Sequence, residues 1–221
     1  MTKPLREAVE IVIKTLPKAK KVLEIGSKQE KNQNEVANLR GLFSDSSFIG
    51  VDMRPGSGVD VVANAQKLPF KNGAFDLVLC LETLEHCDHP WLVTAEIERV
   101  LGKSGVAIVS SQQNFPIHMH PSDYFRYTPS GLRVLFNKLK SVVFSISPPY
   151  DDEVKLNPQH VVLIGGKSDN EELFKKVKRQ LRNNTGKISG HKPYRHRLQD
   201  AWKFFKRGVA EAKFRWEIEF F

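Results

Sequence analysis

Short apolar runs alternate with amphipathic stretches over most of the chain. The first run covers residues 22–25 and stops at Gly26, and a second run at residues 48–51 stops at Asp52. Between them, residues 33–43 place apolar side chains at the spacing of one helix face. Runs of this length that end at turn residues predict buried strands. The order strand, turn, helix, strand predicts the first half of a nucleotide-binding α/β fold.

The alternation continues to residue 166. The stretch at residues 75–81 is apolar apart from Asp76, which is typical of a strand that helices cover on both faces of a parallel sheet. The remaining predicted strands cover residues 59–63, 106–109, 142–146 and 160–164, and the remaining predicted helices cover residues 4–16, 90–101 and 128–139. We therefore predict one α/β domain over residues 1–166, with a doubly wound, mostly parallel sheet of seven strands.

Residues 167–221 follow a different pattern and predict a basic, aromatic helical appendage. Helices are predicted at residues 170–182 and 197–221, with a linker of turn residues at 186–193. The appendage holds 15 Lys and Arg against 7 Asp and Glu, whereas the domain holds 19 against 18. Basic helices with large aromatic side chains are typical of a membrane surface or a groove in a partner protein. The alternative is docking on the sheet or on a second subunit of a homodimer. Nucleic acid is a weaker alternative, because the domain is nearly neutral.

Composition indicates the cellular compartment of the protein and whether the chain crosses a membrane. A chain of 221 residues with 40% hydrophobic residues can bury a full core. Cys80 and Cys87 show no C-x-x-C spacing, so we interpret them as free thiols in a reducing compartment. No apolar run approaches the ~20 residues of a membrane span, and the N-terminal residues show no secretory pattern. We therefore expect a cytoplasmic protein, with peripheral contact to the inner membrane face through residues 170–221.

Two acidic residues mark the ends of the first two predicted strands. An acid at the end of the second strand, here Asp52, is placed to accept hydrogen bonds from ribose hydroxyls. A dinucleotide needs a G-x-G-x-x-G loop for its pyrophosphate, but only Gly26 is present, with Lys28 and Glu30 after it. Glu24 adds a second negative charge near the same loop. This pattern favours a cationic nucleoside without phosphates, such as a sulfonium compound.

Six segments, in order and at matching spacing, resemble the class I S-adenosylmethionine-dependent methyltransferases of the type 11 family. The resemblance covers residues 22–165, about two thirds of the chain, and leaves out the appendage. It implies a Rossmann-like methyltransferase fold, S-adenosylmethionine as cofactor and methyl transfer as the reaction. The segments are VLEIG at 22–26, GVD at 50–52, LPF at 68–70 with FDLV at 75–78, LEH at 84–86, ERVL at 98–101 and the glycine at 105.

The resemblance also implies roles for individual residues. Those around the methionine part and the ribose lie at strand ends, and those around the adenine follow strands two and three. The implied cofactor-binding residues are Glu24, Gly26 and Leu81 for the methionine part, Asp52 for the ribose, and Met53, Asn64 and Ala65 for the adenine.

A second block, residues 118–132, resembles the D-Y-W-R-[FY]-T-P-x-G-L segment of bacterial methyltransferases linked to cell-surface glycan and lipid pathways. It follows strand five, on the expected substrate side of the cleft. His120 and Asp123 in this block are candidate catalytic residues, because they can serve as bases or hydrogen-bond partners for a hydroxyl substrate. His86, after strand four, is a third candidate base, with a purely structural role as its alternative.

The block also has a structural interpretation. Tyr124, Arg126 and Tyr127 can brace the loop against the helix that follows, with Thr128 as the N-cap of that helix. We expect this bracing role for Arg126 and Tyr127.

Histidines and acids are concentrated in two loops, residues 86–89 and 118–123. Nitrogen and oxygen ligands of this kind could hold a divalent ion. No fixed ligand spacing is evident, so the sequence predicts no metal site.

The sequence therefore predicts methyl transfer from S-adenosylmethionine to a small-molecule, glycan or lipid-linked acceptor, at an oxygen atom. One alternative is a catalytically silent relative that keeps the fold as a binding or scaffolding module, because the family usually has G-x-G-x-G where Lys28 and Glu30 stand. A nucleic-acid methyltransferase comes third. No N-P-P-Y tetrad follows strand four, where residues 81–84 read Leu-Glu-Thr-Leu.

Overall fold

The computed structural model describes residues 1–30, 34–118, 122–147, 158–168, 170–184 and 217–220. In this part of the chain all the strands join one sheet with helices on both faces. The strands are β1 (Lys21–Ile25), β2 (Ser47–Asp52), β3 (Val61–Val62), β4 (Phe75–Leu81), β5 (Leu101–Gln112), β6 (Lys140–Ser147), β7 (His160–Gly166) and β8 (Glu217–Phe220). The helices are α1 (Lys3–Thr15), α2 (Asn34–Ala37), α3 (Pro90–Val100), α4 (Pro129–Leu135) and α5 (Glu171–Asn183), with short 3-10 helices at Arg40–Leu42 and Leu84–His86.

The sheet reverses its strand order beside β1. The strands run in the order β3-β2-β1-β4-β5-β7-β6-β8, so β1 lies between β2 and β4. The neighbouring strands β3, β2, β1, β4 and β5 are parallel to one another, whereas β7 is antiparallel to β5 and to β6. Ligands of open α/β sheets bind outside the carboxyl ends of the strands at such a reversal. The topology therefore places a candidate site above the ends of β1, β2 and β4.

Alternation along the strands divides the core into two layers. Leu23 of β1 faces the layer of α3 and α4, and Val22 faces the layer of α1 and α5. Each layer is apolar because successive side chains in a strand point to opposite faces. Both sides of the central strands are therefore buried.

The predicted doubly wound α/β fold is confirmed, and all seven predicted strands are present. The predicted helix at residues 33–43 is shorter than expected. It ends at Ala37, and a 3-10 turn begins at Arg40. The side-chain oxygen of Asn38 accepts a hydrogen bond from the Arg40 backbone N–H at 3.0 Å. Asparagine can compete in this way with the helical hydrogen-bond pattern.

An eighth strand corrects the expectation for the C-terminal residues. Residues 217–220 pair antiparallel with β6, with Phe220 opposite Phe144. The predicted helix over residues 197–221 is therefore wrong at these four positions. Ile218 and Phe220 alternate with two glutamates, which is a strand period, and β6 would otherwise leave an edge of unpaired backbone groups. Residues 197–216, residue 221 and the predicted linker at 186–193 lie outside the described residues.

Helix α5 forms within one residue of its predicted bounds and packs on the domain. Val177 and Leu181 are fully buried in the layer that contains α1. On its outer side, Lys175 pairs with Glu171 and Glu172 in solvent. The docking alternative therefore holds for α5, while the domain boundary after residue 166 remains a prediction. Within the described residues, no helix is both long enough and apolar enough to cross a lipid bilayer.

Truncation of a buried α5 side chain should destabilise the whole domain. We expect Leu181→Ala to lower the free energy of unfolding by about 2–5 kcal/mol, because it leaves a cavity between α5 and the sheet. Urea denaturation followed by circular dichroism measures this change. The matched control, Lys176→Ala on the exposed side of α5, should change stability by less than about 0.5 kcal/mol. Equal stability of the two variants would contradict the packing of α5.

Candidate active site

A cavity of about 590 Å³ opens at the carboxyl ends of β1, β2 and β4. Its size is in the range of small-molecule and cofactor pockets, roughly 300–1,000 Å³. The loop after β1 and the residues after β2 and β3 form one side, and the turn after β4, the loop after β5 and the start of β7 form the other. The cavity therefore occupies the position that the topology predicts.

The turn after β1 requires glycine at position 26. Gly26 has φ +77°, and a Cβ at this position would lie 2.1 Å from the hydroxyl oxygen of Thr83. The backbone N–H groups of Gly26 and Ser27 both donate to the carbonyl of Val51, at 2.8 and 3.1 Å. Only glycine combines this conformation with such a close approach. Gly26 thus joins the ends of β1, β2 and β4 in one turn.

Lys28 and Glu30 do not distort this loop. Among the described residues, Glu82 is the single non-glycine residue with positive φ, so Lys28 and Glu30 have ordinary backbone angles. Their side chains pair at 3.8 Å, and the Lys28 stem lies against Gly56 in the β2–β3 connection. The backbone at positions 28 and 30 therefore does not require glycine.

Asp52 ends β2 with its carboxylate held in place at the cavity wall. One oxygen accepts the backbone N–H of Lys28 at 3.2 Å, and the other accepts that of Arg54 at 3.0 Å. The side chain is 11% exposed. A carboxylate oxygen can accept more than one hydrogen bond. Asp52 can therefore bind a diol without changing its orientation.

The predicted adenine-side residues lie together on the same wall. The Met53 side chain lies at the rim of the cavity and is 59% exposed. Asn64 accepts the backbone N–H of Gln66 at 2.9 Å, which fixes the turn after β3. The predicted site residues on the cavity wall are Gly26, Asp52, Met53, Asn64, Ala65 and His86.

Glu24 and Leu81 are two predicted site residues that the structure does not place on this wall. Both side chains point to the layer of α1 and α5, because Ile25 takes the cavity side of β1 and strand residues alternate. Burial raises the pKa of Glu24 to about 8, while the positive charges of Arg40 and Arg6 oppose the shift. The structure thus does not bring these two residues onto the cavity wall, and their role beside the methionine part stays a prediction.

His86 and His118 form an edge-to-face pair in the cavity wall, on the side of the turn after β4 and the loop after β5, with ring centroids 4.9 Å apart. Nδ1 of His86 contacts the carbonyl oxygen of Ser122 at 2.5 Å. Nδ1 of His118 lies 3.2 Å from the Asp123 carboxylate, which also accepts the His118 backbone N–H at 2.9 Å. The structure thus brings together two histidines from the separate histidine-rich loops of the sequence.

Asp123 is buried behind this pair and does not line the cavity. Two hydrogen bonds from the Arg126 guanidinium hold the pKa of Asp123 well below its usual range, despite burial. Arg126 also donates to the carbonyls of Phe115 and Phe125. The predicted bracing role of Arg126 is confirmed. The third candidate catalytic residue, His120, lies outside the described residues.

The rest of the block braces the loop as predicted. The Tyr127 backbone N–H donates to the carbonyl of Gln112 at 3.0 Å, and its hydroxyl lies 3.4 Å from the carbonyl of Leu84. The Thr128 hydroxyl caps α4 by accepting the Gly131 backbone N–H at 3.1 Å.

A buried acid–histidine pair in the cavity wall was not predicted from the sequence. Glu82, with φ +50°, accepts hydrogen bonds from the Ser110 hydroxyl at 2.8 Å and from Nδ1 of His160 at 3.0 Å. Burial opposes ionisation, but His160 and Ser110 together hold the pKa of Glu82 below its usual value. His160 begins β7, which runs antiparallel to β5 and so starts at the cavity edge. The register of β7 was not evident from the sequence.

Glu85 is a second acid that the sequence analysis did not select. It is fully buried, and one oxygen accepts the Ser111 hydroxyl at 2.6 Å. Its other oxygen, Oε1, has no hydrogen-bond partner among the described residues. Burial first, and the nearby charge of Glu82 second, raise the pKa of Glu85 to about 8. A buried acid with an open oxygen next to a cavity is typical of a functional site.

Comparison with known proteins agrees with this geometry. Residues 19–109 match the family model described as "Methyltransferase domain". A Thermotoga maritima structure, a possible histamine N-methyltransferase, is 22% identical with a TM-score of 0.52, over 75% of this chain and 89% of that chain. The 1,6-didemethyltoxoflavin-N1-methyltransferase of Burkholderia thailandensis, with bound 1,6-didemethyltoxoflavin and S-adenosylhomocysteine, is 19% identical with a TM-score of 0.56, over 75% of this chain and 79% of that chain. At these identities the likeness shows the fold.

A sequence relative is an uncharacterised protein of Methanocaldococcus jannaschii, 31% identical over 103 residues. The match covers 40% of this chain and 45% of that protein. The chain thus spans less than half the length of this curated relative.

The turn at Gly26 should not tolerate a side chain. We expect Gly26→Ala to lower the free energy of unfolding by about 1–3 kcal/mol, because the positive φ and the Thr83 contact both oppose a Cβ. Chemical denaturation measures this loss. The control is Gly41→Ala, where an added Cβ meets nothing within 4 Å and φ is ordinary. A Gly26→Ala variant as stable as this control would show that the turn is not strained.

Proposed function

We infer that this chain is a class I S-adenosylmethionine-dependent methyltransferase, which the match of residues 19–109 to a methyltransferase domain supports. It transfers a methyl group from S-adenosylmethionine to an oxygen of a small-molecule, glycan or lipid-linked acceptor. The observation that carries the proposal is the Asp52 carboxylate, held by two backbone amides at the strand-order reversal. An acid at this position is suited to a ribose diol.

The residues of the cavity fit the cofactor. Asp52 would accept the ribose hydroxyls, while Met53, Asn64 and Ala65 would contact the adenine. Gly26 would lie beside the methionine part, at a turn where its missing Cβ makes room for the Thr83 side chain. The sulfonium of S-adenosylmethionine supplies the methyl group as an electrophile, and the negative charge of Glu82 in the wall is complementary to that cation. The protein mainly positions the acceptor and excludes water.

The acceptor side of the cavity favours a hydroxyl group. His86, His118 and Gln112 present hydrogen-bonding groups there. A hydroxyl must lose its proton to accept a methyl group, and histidine is suited to assist that step. Phe115 and Tyr124 add apolar surface at the same end and are 39% and 53% exposed. This mixed wall suits an acceptor with both hydroxyl and apolar parts. Asp123 acts on this acceptor indirectly, by orienting His118.

The loop geometry does not favour a catalytically silent module. That alternative depended on Lys28 and Glu30, which replace family glycines. Both have ordinary φ, and the Lys28 amide still reaches Asp52. The cofactor side of the cavity is therefore formed without those glycines.

Residues 170–221 carry the second part of the proposal. Lys176 and Arg179 are exposed on α5, and the segment from 167 onward holds most of the net charge of +9. Such a surface supports peripheral contact with the anionic inner face of a membrane, from the cytoplasmic side. A homodimer through the same segment stays an alternative proposal.

Loss of the Asp52 carboxylate should weaken binding of S-adenosylhomocysteine. We expect Asp52→Ala to reduce affinity by roughly 30- to 1,000-fold, since two charge-assisted hydrogen bonds to the ribose are worth about 2–4 kcal/mol. Isothermal titration calorimetry measures this affinity. The control, Asp60→Ala, also removes a carboxylate that accepts a backbone N–H, that of Gly50, but outside the cavity. Unchanged affinity for Asp52→Ala would mean that no ribose binds at this position.

Restoring the family glycines at positions 28 and 30 should have little effect on the affinity for S-adenosylhomocysteine. We expect Lys28→Gly combined with Glu30→Gly to change S-adenosylhomocysteine affinity by less than about threefold, under ~1 kcal/mol, because neither backbone position needs glycine. The same calorimetric titration tests this. An increase in affinity of about tenfold or more would show that Lys28 and Glu30 hinder the cofactor, and would revive the silent alternative.

A further inference from the structure

Three potential metal ligands converge beside the cavity. One carboxylate oxygen of Glu85 and one ring nitrogen each of His86 and His118 lie within 4.8 Å of one another. Glu85 and His86 belong to the 3-10 turn after β4, and His118 belongs to the loop after β5. Both histidines line the cavity on its acceptor side. The cluster therefore joins two loops at the place where an acceptor would bind.

The surroundings of both histidines fix the tautomer that a metal needs. Nδ1 of His86 faces the Ser122 carbonyl, which can only accept a hydrogen bond. Nδ1 of His118 lies 3.2 Å from the carboxylate of Asp123, which also accepts two hydrogen bonds from Arg126. Hydrogen on Nδ1 directs the lone pair of each ring to Nε2. Carbonyl and carboxylate partners of this kind orient the histidine ligands of metal sites.

Glu85 supplies an observation that points to a cation independently of the histidines. Its carboxyl group is fully buried, and within the part of the chain that the structure describes only one of its oxygens has a hydrogen-bond partner, the Ser111 hydroxyl. A buried polar oxygen without a partner is costly, and a coordinated cation removes this cost.

We propose that Glu85, His86 and His118 bind a first-row divalent transition-metal ion at the acceptor end of the cavity. Two imidazoles and one carboxylate are ligands that Mn²⁺, Co²⁺ and Zn²⁺ all accept. Bonds of about 2.1 Å place the ligands of a tetrahedral ion about 3.4 Å apart, so the three ligand atoms, now within 4.8 Å of one another, would move together when the ion binds. Three protein ligands leave further positions open toward the cavity.

The role of the ion rests on the proposed methyl transfer. An acceptor hydroxyl bound at an open position has a lowered pKa, because the ion stabilises the alkoxide or phenoxide. With both histidine lone pairs on the ion, neither ring acts as the base: the O–H bond breaks and its proton passes to water. The oxygen electron pair then forms the bond to the methyl carbon, and the carbon–sulfur bond breaks with its electron pair on sulfur, which converts the sulfonium to a thioether. The site therefore selects acceptors with a metal-binding hydroxyl.

Direct ion binding tests the proposal on the full chain without any acceptor. The protein is first treated with a chelator and then titrated with Co²⁺, with absorption spectroscopy and calorimetry as readouts, and with Zn²⁺ in competition. We expect one ion per chain, and at least tenfold weaker binding for Glu85→Gln and for His118→Gln. The control, His89→Gln, alters a neighbouring histidine outside the cluster and should bind as the wild type does. Equal binding by the wild type and both cluster variants, or no binding at all, overturns the proposal.

Two further measurements separate the outcomes. Thermal melting without metal establishes whether Glu85→Gln and His118→Gln are folded. Each variant removes a single ligand, so if one of them fails to fold, the other still tests the site. S-adenosylhomocysteine titration of the metal-free wild type tests the cofactor site separately. If the protein binds the cofactor but no ion, the metal-site proposal is wrong and the proposed function still stands. If it binds the ion but no cofactor, the proposed function alone is wrong.

Discussion

The close contact between Gly26 and Thr83 determines the geometry of the cavity. Gly26 turns the chain at the end of β1 with positive φ, and the Thr83 side chain occupies the space where a Cβ would lie. Thr83 follows β4 and donates to the carbonyls of Ile25 and Leu81 at 3.3 and 3.0 Å. This contact fixes the end of β4 against the end of β1. The turn also donates to Val51, the residue before Asp52. Three strand ends are thereby held around one opening.

The distribution of charge around this opening suits a cationic donor and a polar acceptor. Glu82 remains ionised because His160 and Ser110 compensate for its burial. Its positive φ costs of the order of 1–3 kcal/mol, and strain of this kind is common at functional sites. Glu85, by contrast, has a hydroxyl as its one side-chain hydrogen-bond partner among the described residues. The two acids thus differ in how their burial is compensated. Glu82 is therefore suited to a permanent negative charge, and Glu85 to a bound cation.

The antiparallel part of the sheet contributes as much to the site as the parallel part. β7 inserts between β5 and β6, so its first residue, His160, meets the carboxyl end of β5 and contacts Glu82. On the other side, β8 and α5 bring residues from beyond the predicted domain onto the sheet and its α1 layer. A fold that looks like two segments in the sequence therefore shares one core over the described residues.

The parallel strands, the glycine turn and the acid after β2 could all be predicted from the sequence. These features depend on local patterns: apolar runs, a turn glycine and a residue at a strand end. The resemblance to the family also predicted Met53, Asn64, Ala65 and His86, which line the cavity within five residues of a strand end. Which residues meet across the cavity depends on how distant segments pack. Glu82 and His160 are 78 positions apart, and their contact depends on the register of β7. His118 meets Glu85 and His86 only because two loops leave adjacent strands at one edge. The orientation of Glu24 away from the cavity and the strand at residues 217–220 likewise follow from packing partners, which periodicity along the chain does not specify.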